Sequence, residues 1–588
     1  MLRPDSSGNS NDFTPSGTIT ATNDSPTNDA DNDYGNYCTW NTIDEVGANL
    51  TISNGNLTVV DSSAGTWDGA RATQHIPSTG IWGVKLTQNG APLGWELGLA
   101  QRSYDLDNGG GMWATADTIC YCPYQGTGSI YSDAVAVQTS LGTTGDTDVV
   151  EMIVDMDAGN VKWYKNSVLL GTAEDLPATT TDDPWFFTIN CGGVSIDLDF
   201  DFGQLGYDPN GTVAGALALS TANMPTPAIP DPSVHHDVTL VSHNGTTGSF
   251  ELPTDPTVDD YAFVIKLDGI ESWWWFDTVR GLTKYIASDD ATTAETIDAT
   301  TLSSSGTTVT MGAAFASGTY IVEWFKAGVI ASRGSQAESG TGNGALMATT
   351  YSVNTTSGFS IVLCNGFNDT IANSEATLAP HGMGATPDIM FGFNRDTAAG
   401  HPVLTGTGIG GTAFSAGDNH LLLDSNAAKS GALYVQGTTD STNLALGNDD
   451  LTNKADDDFV WYCHVGIEGY SQFGNYAGNA AADGPVINGN MLLGRFFAKP
   501  ASVGGASHDW QTYTNVFTPY NIATNSGIYN GTAAASGTGT LDILSMGAKL
   551  RHSGAKMNAA GTHIYGMWGG RPIQGPAPAS NTSQGRAR

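Results

Sequence analysis

Leu50-Thr51-Ile52-Ser53-Asn54-Gly55-Asn56-Leu57-Thr58-Val59-Val60 reads as two short apolar runs folded back on each other. Asn-Gly tolerates positive φ at both central positions of a tight turn, so the stretch is a β-hairpin signal rather than a helix. The same grammar recurs around it. Gly80-Ile81-Trp82-Gly83-Val84-Lys85-Leu86 and Glu151-Met152-Ile153-Val154-Asp155-Met156 alternate as half-buried strands do. Asp157-Ala158-Gly159-Asn160 then turns the chain into Val161-Lys162-Trp163-Tyr164-Lys165, and Asn166-Ser167 turns it again. Strands at this spacing make an antiparallel β-sandwich over residues 36–206.

Composition supports an all-β fold throughout. Of 588 residues, 74 are Gly and only 14% are charged, which suits short strands and many turns and disfavours long helices. Acidic residues outnumber basic ones 59 to 22, a net of -37. A surface of that sign repels phosphate backbones and argues against nucleic-acid binding. It suits a saline habitat and an ordinary acidic surface equally. No apolar run reaches the ~20 residues of a membrane span, so no membrane insertion is expected. The opening MLRPDSSGNSNDFTPSG lacks the apolar core of a secretion signal.

Residues 1–35 are polar and read as a flexible arm, a possible anchor, and residues 576–588 as a disordered tail. Residues 207–234 carry four prolines from Pro225 to Pro232 and read as a linker. Beyond it a pattern recurs every ~110–120 residues, the size of a small β unit. An opening strand precedes a Gly-bearing turn at His236–Val241, Phe359–Cys364 and Tyr470–Tyr476. An apolar strand follows at Tyr261–Lys266, Pro387–Phe393 and Met491–Phe497. A Trp-bearing strand closes each unit at Gly318–Trp324, Asp458–Cys463 and Gly561–Trp568. Three units (235–330, 331–466 and 467–575), or one domain with internal pseudo-symmetry, account for this.

These residues carry a resemblance. Cys38–Asp44, Leu50–Leu57, the GNVKWYKNSVLLGTA hairpin from Gly159, and DFDFGQ at Asp199–Gln204 resemble the SPRY (B30.2-like) sandwiches of marine bacteriophage structural proteins. EGYSQFGNYAGN from Glu468, LDILSMGAKLR from Leu541 and AAGTHIYGMW from Ala559 resemble the β-rich region that follows SPRY in such proteins. The resemblance implies a virion structural protein, a tail fibre or other appendage subunit binding other virion proteins and a host-surface glycan or protein. It also implies homo-oligomers, trimers by analogy with fibres.

Catalytic motifs are not evident: there is no P-loop, Gly-x-Ser-x-Gly elbow or His-Glu-x-x-His helix in the sequence. The expectation is therefore a non-enzyme without cofactor or catalytic residues. The alternative is a polysaccharide-degrading tailspike, because paired carboxylates leave little local signature. Asp29–Gly35 and Asp105–Gly111 have loop oxygens that could hold calcium, but the first lacks the Gly and Glu of a calcium loop. Cys120 and Cys122 point the same way on a strand, which reads as packing, and no metal site is expected. Candidate binding residues are Trp273, Trp274 and Trp275, where alternation buries one aromatic pair and offers the other as a sugar platform or subunit contact. Trp67 and Tyr104 join them, on loops near Tyr124–Tyr131 at one end of the sandwich.

Overall fold

The computed structural model describes residue 24 and residues 35–572, other than 48, 63–64, 91–93, 103, 107–109, 125–126, 178–183, 193–194, 268–271, 368–374, 406–419, 430–438, 448, 503, 505–507, 517–519, 524–526, 529–530, 532–540 and 555. The arm up to residue 23, the calcium-like loop 29–34 and the tail 576–588 lie outside the described residues.

Two antiparallel sheets form the N-terminal sandwich. The first runs in the order Trp40–Val46, Asp68–Ala72, Trp185–Cys191, Trp95–Gln101, Thr118–Cys122, Ser129–Ser132, Val135–Thr139. The second runs Val168–Asp175, Asn160–Lys165, Val149–Asp155, Ile81–Gln88, Ile196–Asp201, Thr58–Asp61, Leu50–Ser53. Alternating side chains meet between them in one core that includes Trp40, Trp82, Trp95 and Trp163. The hairpin at Leu50 forms, but Ser53 pairs with Thr58, so four residues connect the strands. Asn54, Gly55 and Asn56 all take positive φ (53°, 69° and 65°). The two-residue mirror-image turn is instead at Asn166-Ser167, between Lys165 and Val168, with φ of 48° and 64°.

The segment 207–234 is packed rather than a free spacer. Ala216–Ala218 adds a parallel strand to Ile81–Gln88, Leu219 and Met224 enter the sandwich core, and Ile229 enters the next core along the chain. Its prolines stiffen the chain, yet enough apolar side chains lie between them to bury it.

Three further sheets follow, each with the same five-strand order. The opening strand lies beside the closing strand, which lies beside the apolar strand and then two more. The first sheet runs His236–Asn244, Ser317–Val329, Asp259–Leu267, Trp274–Asp277, Lys284–Ala287, with Thr296–Ile297 added at its end. The second runs Phe359–Asn365, Asp458–His464, Ile389–Asn394, Pro402–Thr405, His420–Leu422, with Gly334–Gln336 and Thr349–Asn354 added before its opening strand. The third runs Ser471–Gly478, Gly561–Pro572, Met491–Pro500, Gln511–Thr514, Gly527–Ile528. One face of each large sheet packs with a smaller sheet of its own over a private core. The other faces share one aromatic core, to which Trp275 and Phe325, Phe391 and Tyr462, and Phe497 and Trp568 each contribute from a different sheet. Residues 235–572 are thus joined through their centre, not strung as independent sandwiches.

That shared core also holds charge. Glu323 accepts from His236 Nε2 at 3.0 Å and pairs with Arg495, whose guanidinium lies 5.0 Å from the Trp568 ring. Arg280 bridges Asp277 and Glu295, and Arg395 binds Glu295 from the second sheet at 3.0 Å. Burial holds His464 well below its ordinary pKa, helped by the nearby Arg495 charge.

Candidate functional site: clefts at the domain junction

The sandwich meets the C-terminal body at the third large sheet and its small partner sheet, beside the edge strand Ser471–Gly478. Asn490 clamps the sandwich backbone twice: its Oδ1 accepts from His75 N (3.4 Å) and its Nδ2 donates to His75 O (3.2 Å). Asn488 Nδ2 donates to Thr73 O at 2.9 Å, and Lys549 Nζ to Ile43 O at 2.7 Å. Arg102 reaches over the Tyr565 ring, 5.0 Å from its centre. With its amide oxygen turned toward Arg102, Gln472 accepts from Nη1 at 2.6 Å. Each such buried amide or carbonyl, once desolvated, needs its partner, which favours one docking geometry.

Arg102 stands over the middle of the edge strand, and a cleft opens toward either end of it. The first, about 610 Å³, is lined by His75, Ser78 and Trp185 of the sandwich and by Asp388, Glu468 and Phe473 of the C-terminal body. Ser78 Oγ donates to Glu468 Oε2 at 2.8 Å, and Asp388 Oδ2 accepts from Gly466 N at 2.6 Å. Burial lowers the His75 pKa, with the Glu468 charge opposing that shift. The second cleft, about 480 Å³, brings together Arg71, Arg102, Lys549, Asp44, Tyr104 and Tyr476. Arg71 forks onto Asp44 at 2.9 and 3.1 Å and donates to Tyr104 O at 2.6 Å. Two concave surfaces, each built from both bodies and mixing aromatic, amide and charged groups, are the geometry in which ligands are held.

The residues singled out in the sequence fall in two places. Tyr104 lies at the second cleft, 5% exposed, with its hydroxyl 3.3 Å from Asn190 Oδ1. Trp67 is half-buried nearby, 5.4 Å from the Tyr124 ring. The loops at Trp67, Tyr104 and Tyr124 therefore converge on the outer face of the first sandwich sheet. The three tryptophans do not. Alternation does divide them, but both faces are covered. Trp273 and Trp275 enter the shared core at 2% and 5% exposure, and Phe276 enters the private core of the first sheet. Half-buried Trp274 stacks on Tyr285 at 4.6 Å beside a cavity of about 140 Å³. Trp274 and Phe276 do not form an exposed pair, because both faces of the sheet are packed at this strand.

No local signal marks the cleft residues, which come from stretches near 75, 185, 388, 468 and 473. The calcium-like loop after Asp105 falls partly outside the described residues. Among the described residues, Glu96, Cys120 and Cys122 are the set of ligating side chains close enough to share a metal ion.

The model of a domain of unknown function, DUF7483, matches residues 231–572. Among solved structures, the chain is similar to the SPRY domain of human HERC1, with 14% identity over 27% of this chain and 96% of that one and a TM-score of 0.23. It is similar to another human SPRY domain at 12% identity, over 28% of this chain and 99% of that one, TM-score 0.22. The TRIM65 PSpry domain gives 10% identity, 28% and 92% coverage, and a TM-score of 0.23. No curated protein matches the chain.

Proposed function

We propose that this chain, which belongs to the DUF7483 family, is a non-enzymatic structural subunit of a bacteriophage virion, a tail fibre or other surface appendage that binds the host surface. The junction carries this reading. Two all-β bodies are held in one relation by buried amide, carbonyl and cation contacts, with clefts open along the seam. Such a body is stiff, projects well and presents concave binding surfaces, which is what an attachment element needs.

Exposed apolar residues on edge strands support an oligomeric form. Val135 and Val168 are 61% and 67% exposed on the outermost strands of the two sandwich sheets. Pairing with another chain is one way to cover such edges, and a trimer is the form proposed. Other virion proteins and a host glycan or protein are the proposed partners.

Electron microscopy of purified particles labelled with antibody to this chain tests the reading. Label on an appendage outside the capsid is the expected result; particles without label would overturn it. A second reading, a glycan depolymerase, is favoured by Asp388 and Glu468 lining the same cleft. It requires reducing ends released from host capsule or lipopolysaccharide, and their loss in Glu468→Gln and Asp388→Asn.

A further inference from the structure

Alternation along two paired strands of the sandwich separates two sets of side chains. Trp95, Leu97, Leu99, Ile119 and Tyr121 face the core. Glu96, Cys120 and Cys122 face outward on the same sheet, where Gly98 pairs with Cys120 and Leu97 with Tyr121. That outer face would be wet on a bare sandwich. Here Met112, Trp113, Tyr124 and Tyr131 cover it, and the carboxylate and both sulfurs are buried.

The three groups are gathered closely. The Cys120 and Cys122 sulfurs are 3.5 Å apart, and one ligand atom from each of the three residues lies within 4.8 Å of the others. Two glycines make the closeness possible. A Cβ on Gly98 would sit 2.6 Å from the Cys120 Cβ, and one on Gly111, at φ +74°, would sit 2.9 Å from Glu96 Oε1. The carboxylate is also aimed. Its Oε2 accepts from Met112 N at 2.7 Å and Trp113 N at 3.4 Å, and its Oε1 from the Tyr124 hydroxyl at 2.8 Å. Metal-ligating carboxylates are oriented by such outer hydrogen bonds.

Charge supplies an independent reason for a cation. Buried carboxylates are ordinarily paired with a cationic side chain, and among the described residues none pairs with Glu96. Three donors point at its oxygens, which favours the anion. A cation resting on the free lone pairs of the carboxylate and on the two sulfurs would balance that charge.

We infer that Glu96, Cys120 and Cys122 form a structural site for a thiophilic divalent cation of the zinc class, stapling the covering loops to the sandwich. Two soft sulfurs with one carboxylate select that class over calcium or magnesium. At a metal–sulfur length of ~2.3 Å, tetrahedral geometry sets two sulfurs ~3.8 Å apart, so only a small spreading is needed. Binding releases the two thiol protons to solvent as metal–sulfur bonds form, with no change of oxidation state. Plain packing of two thiols is the competing account.

Cobalt(II) is the probe, added to the full chain after chelator treatment. One equivalent bound in equilibrium dialysis, with a thiolate-to-cobalt charge-transfer band that zinc(II) abolishes, is the expected result. Cys122→Ala and Cys120→Ser/Cys122→Ser lose the band, Glu96→Gln binds at least tenfold more weakly, and Cys364→Ala/Cys463→Ala keeps it. Zinc(II) should raise the melting temperature of the sandwich in the parent chain but not in Cys122→Ala. No band in the parent chain, or a band that survives in folded Cys122→Ala, would overturn the site.

Discussion

The two halves of the molecule solve the burial problem differently. The sandwich has two sheets and one main core; in its second sheet Asn160–Lys165 alternates, turning Val161 and Trp163 inward and Lys162 outward, while part of the outer face of its first sheet is covered by loops over a small cluster. The three C-terminal large sheets have a private core on one face and a shared core on the other. Their strands are apolar on both sides, as in Ile389–Asn394, where every residue is buried. Antiparallel sheets commonly keep one wet face; the central strands of these do not, although the edge strand His236–Asn244 still alternates buried and exposed. The cost is that some charged side chains have no water to reach, so Glu323, Arg495, Arg280 and Asp277 must satisfy one another.

This contrast can be broken from either side. Trp568 touches rings from all three large sheets, including Phe325, His464 and Phe497. Trp568→Ala should therefore cost ~3–5 kcal/mol in the C-terminal unfolding transition and leave the sandwich transition in place. Trp163→Ala should do the reverse. Denaturant melts followed by near-ultraviolet circular dichroism separate the two. A Trp568→Ala effect confined to peptides of the third sheet would contradict the shared core.

Breaking the buried pair sharpens the same point. Arg495→Met strands Glu323 beside His236 and should cost ~3–5 kcal/mol. Arg495→Met/Glu323→Leu should recover much of that loss, because no unpaired charge remains. Equal losses in single and double variants, measured by urea unfolding, would mean that packing and not charge dominates at the hub.

Acid should also distinguish the halves. Of 11 histidines, only His75 precedes residue 235. Burial depresses His420 and His563 to about 4, and His464 well below 6.5. A histidine with a depressed folded pKa stabilises fully above its unfolded value, and that contribution is lost as pH falls toward the folded one. The C-terminal transition should thus weaken between pH 6.5 and about 4, at roughly 1.4 kcal/mol per pH unit per group. Melting curves across that window check it; a C-terminal melting temperature that does not fall would count against it.

The smallest expected effect is at the seam. Asn490→Ala removes two hydrogen bonds to His75 and should cost ~1–3 kcal/mol, chiefly as faster protease cleavage between residues 207 and 234. Unchanged cleavage would mean that the packed segment, not the clamp, joins the halves.

Much of this architecture was legible beforehand, and the reasons are local. Hairpin chemistry at Asn54-Gly55 and Asn166-Ser167 located turns, although loop length did not follow from residue type at the first. The opening, apolar and closing strands of the C-terminal region stand in equivalent places in three sheets. Their tryptophans do not: Trp324 and Trp461 face private cores while Trp568 faces the shared one. Alternation divided Trp273 from Trp274 but could not reveal that both sides were covered. Proline content in 207–234 says nothing about Leu219 or Met224 finding a core. The clefts were beyond reach, since His75 and Asn490 meet only through tertiary packing.

Hydrogen exchange in rising denaturant, read by mass spectrometry, bears most directly on the division of the chain into a one-core sandwich and a shared-core body. The closing strands Ser317–Val329, Asp458–His464 and Gly561–Pro572 should open at one common denaturant concentration, distinct from that of Trp95–Gln101 in the sandwich. Three separate openings for those three strands would contradict it.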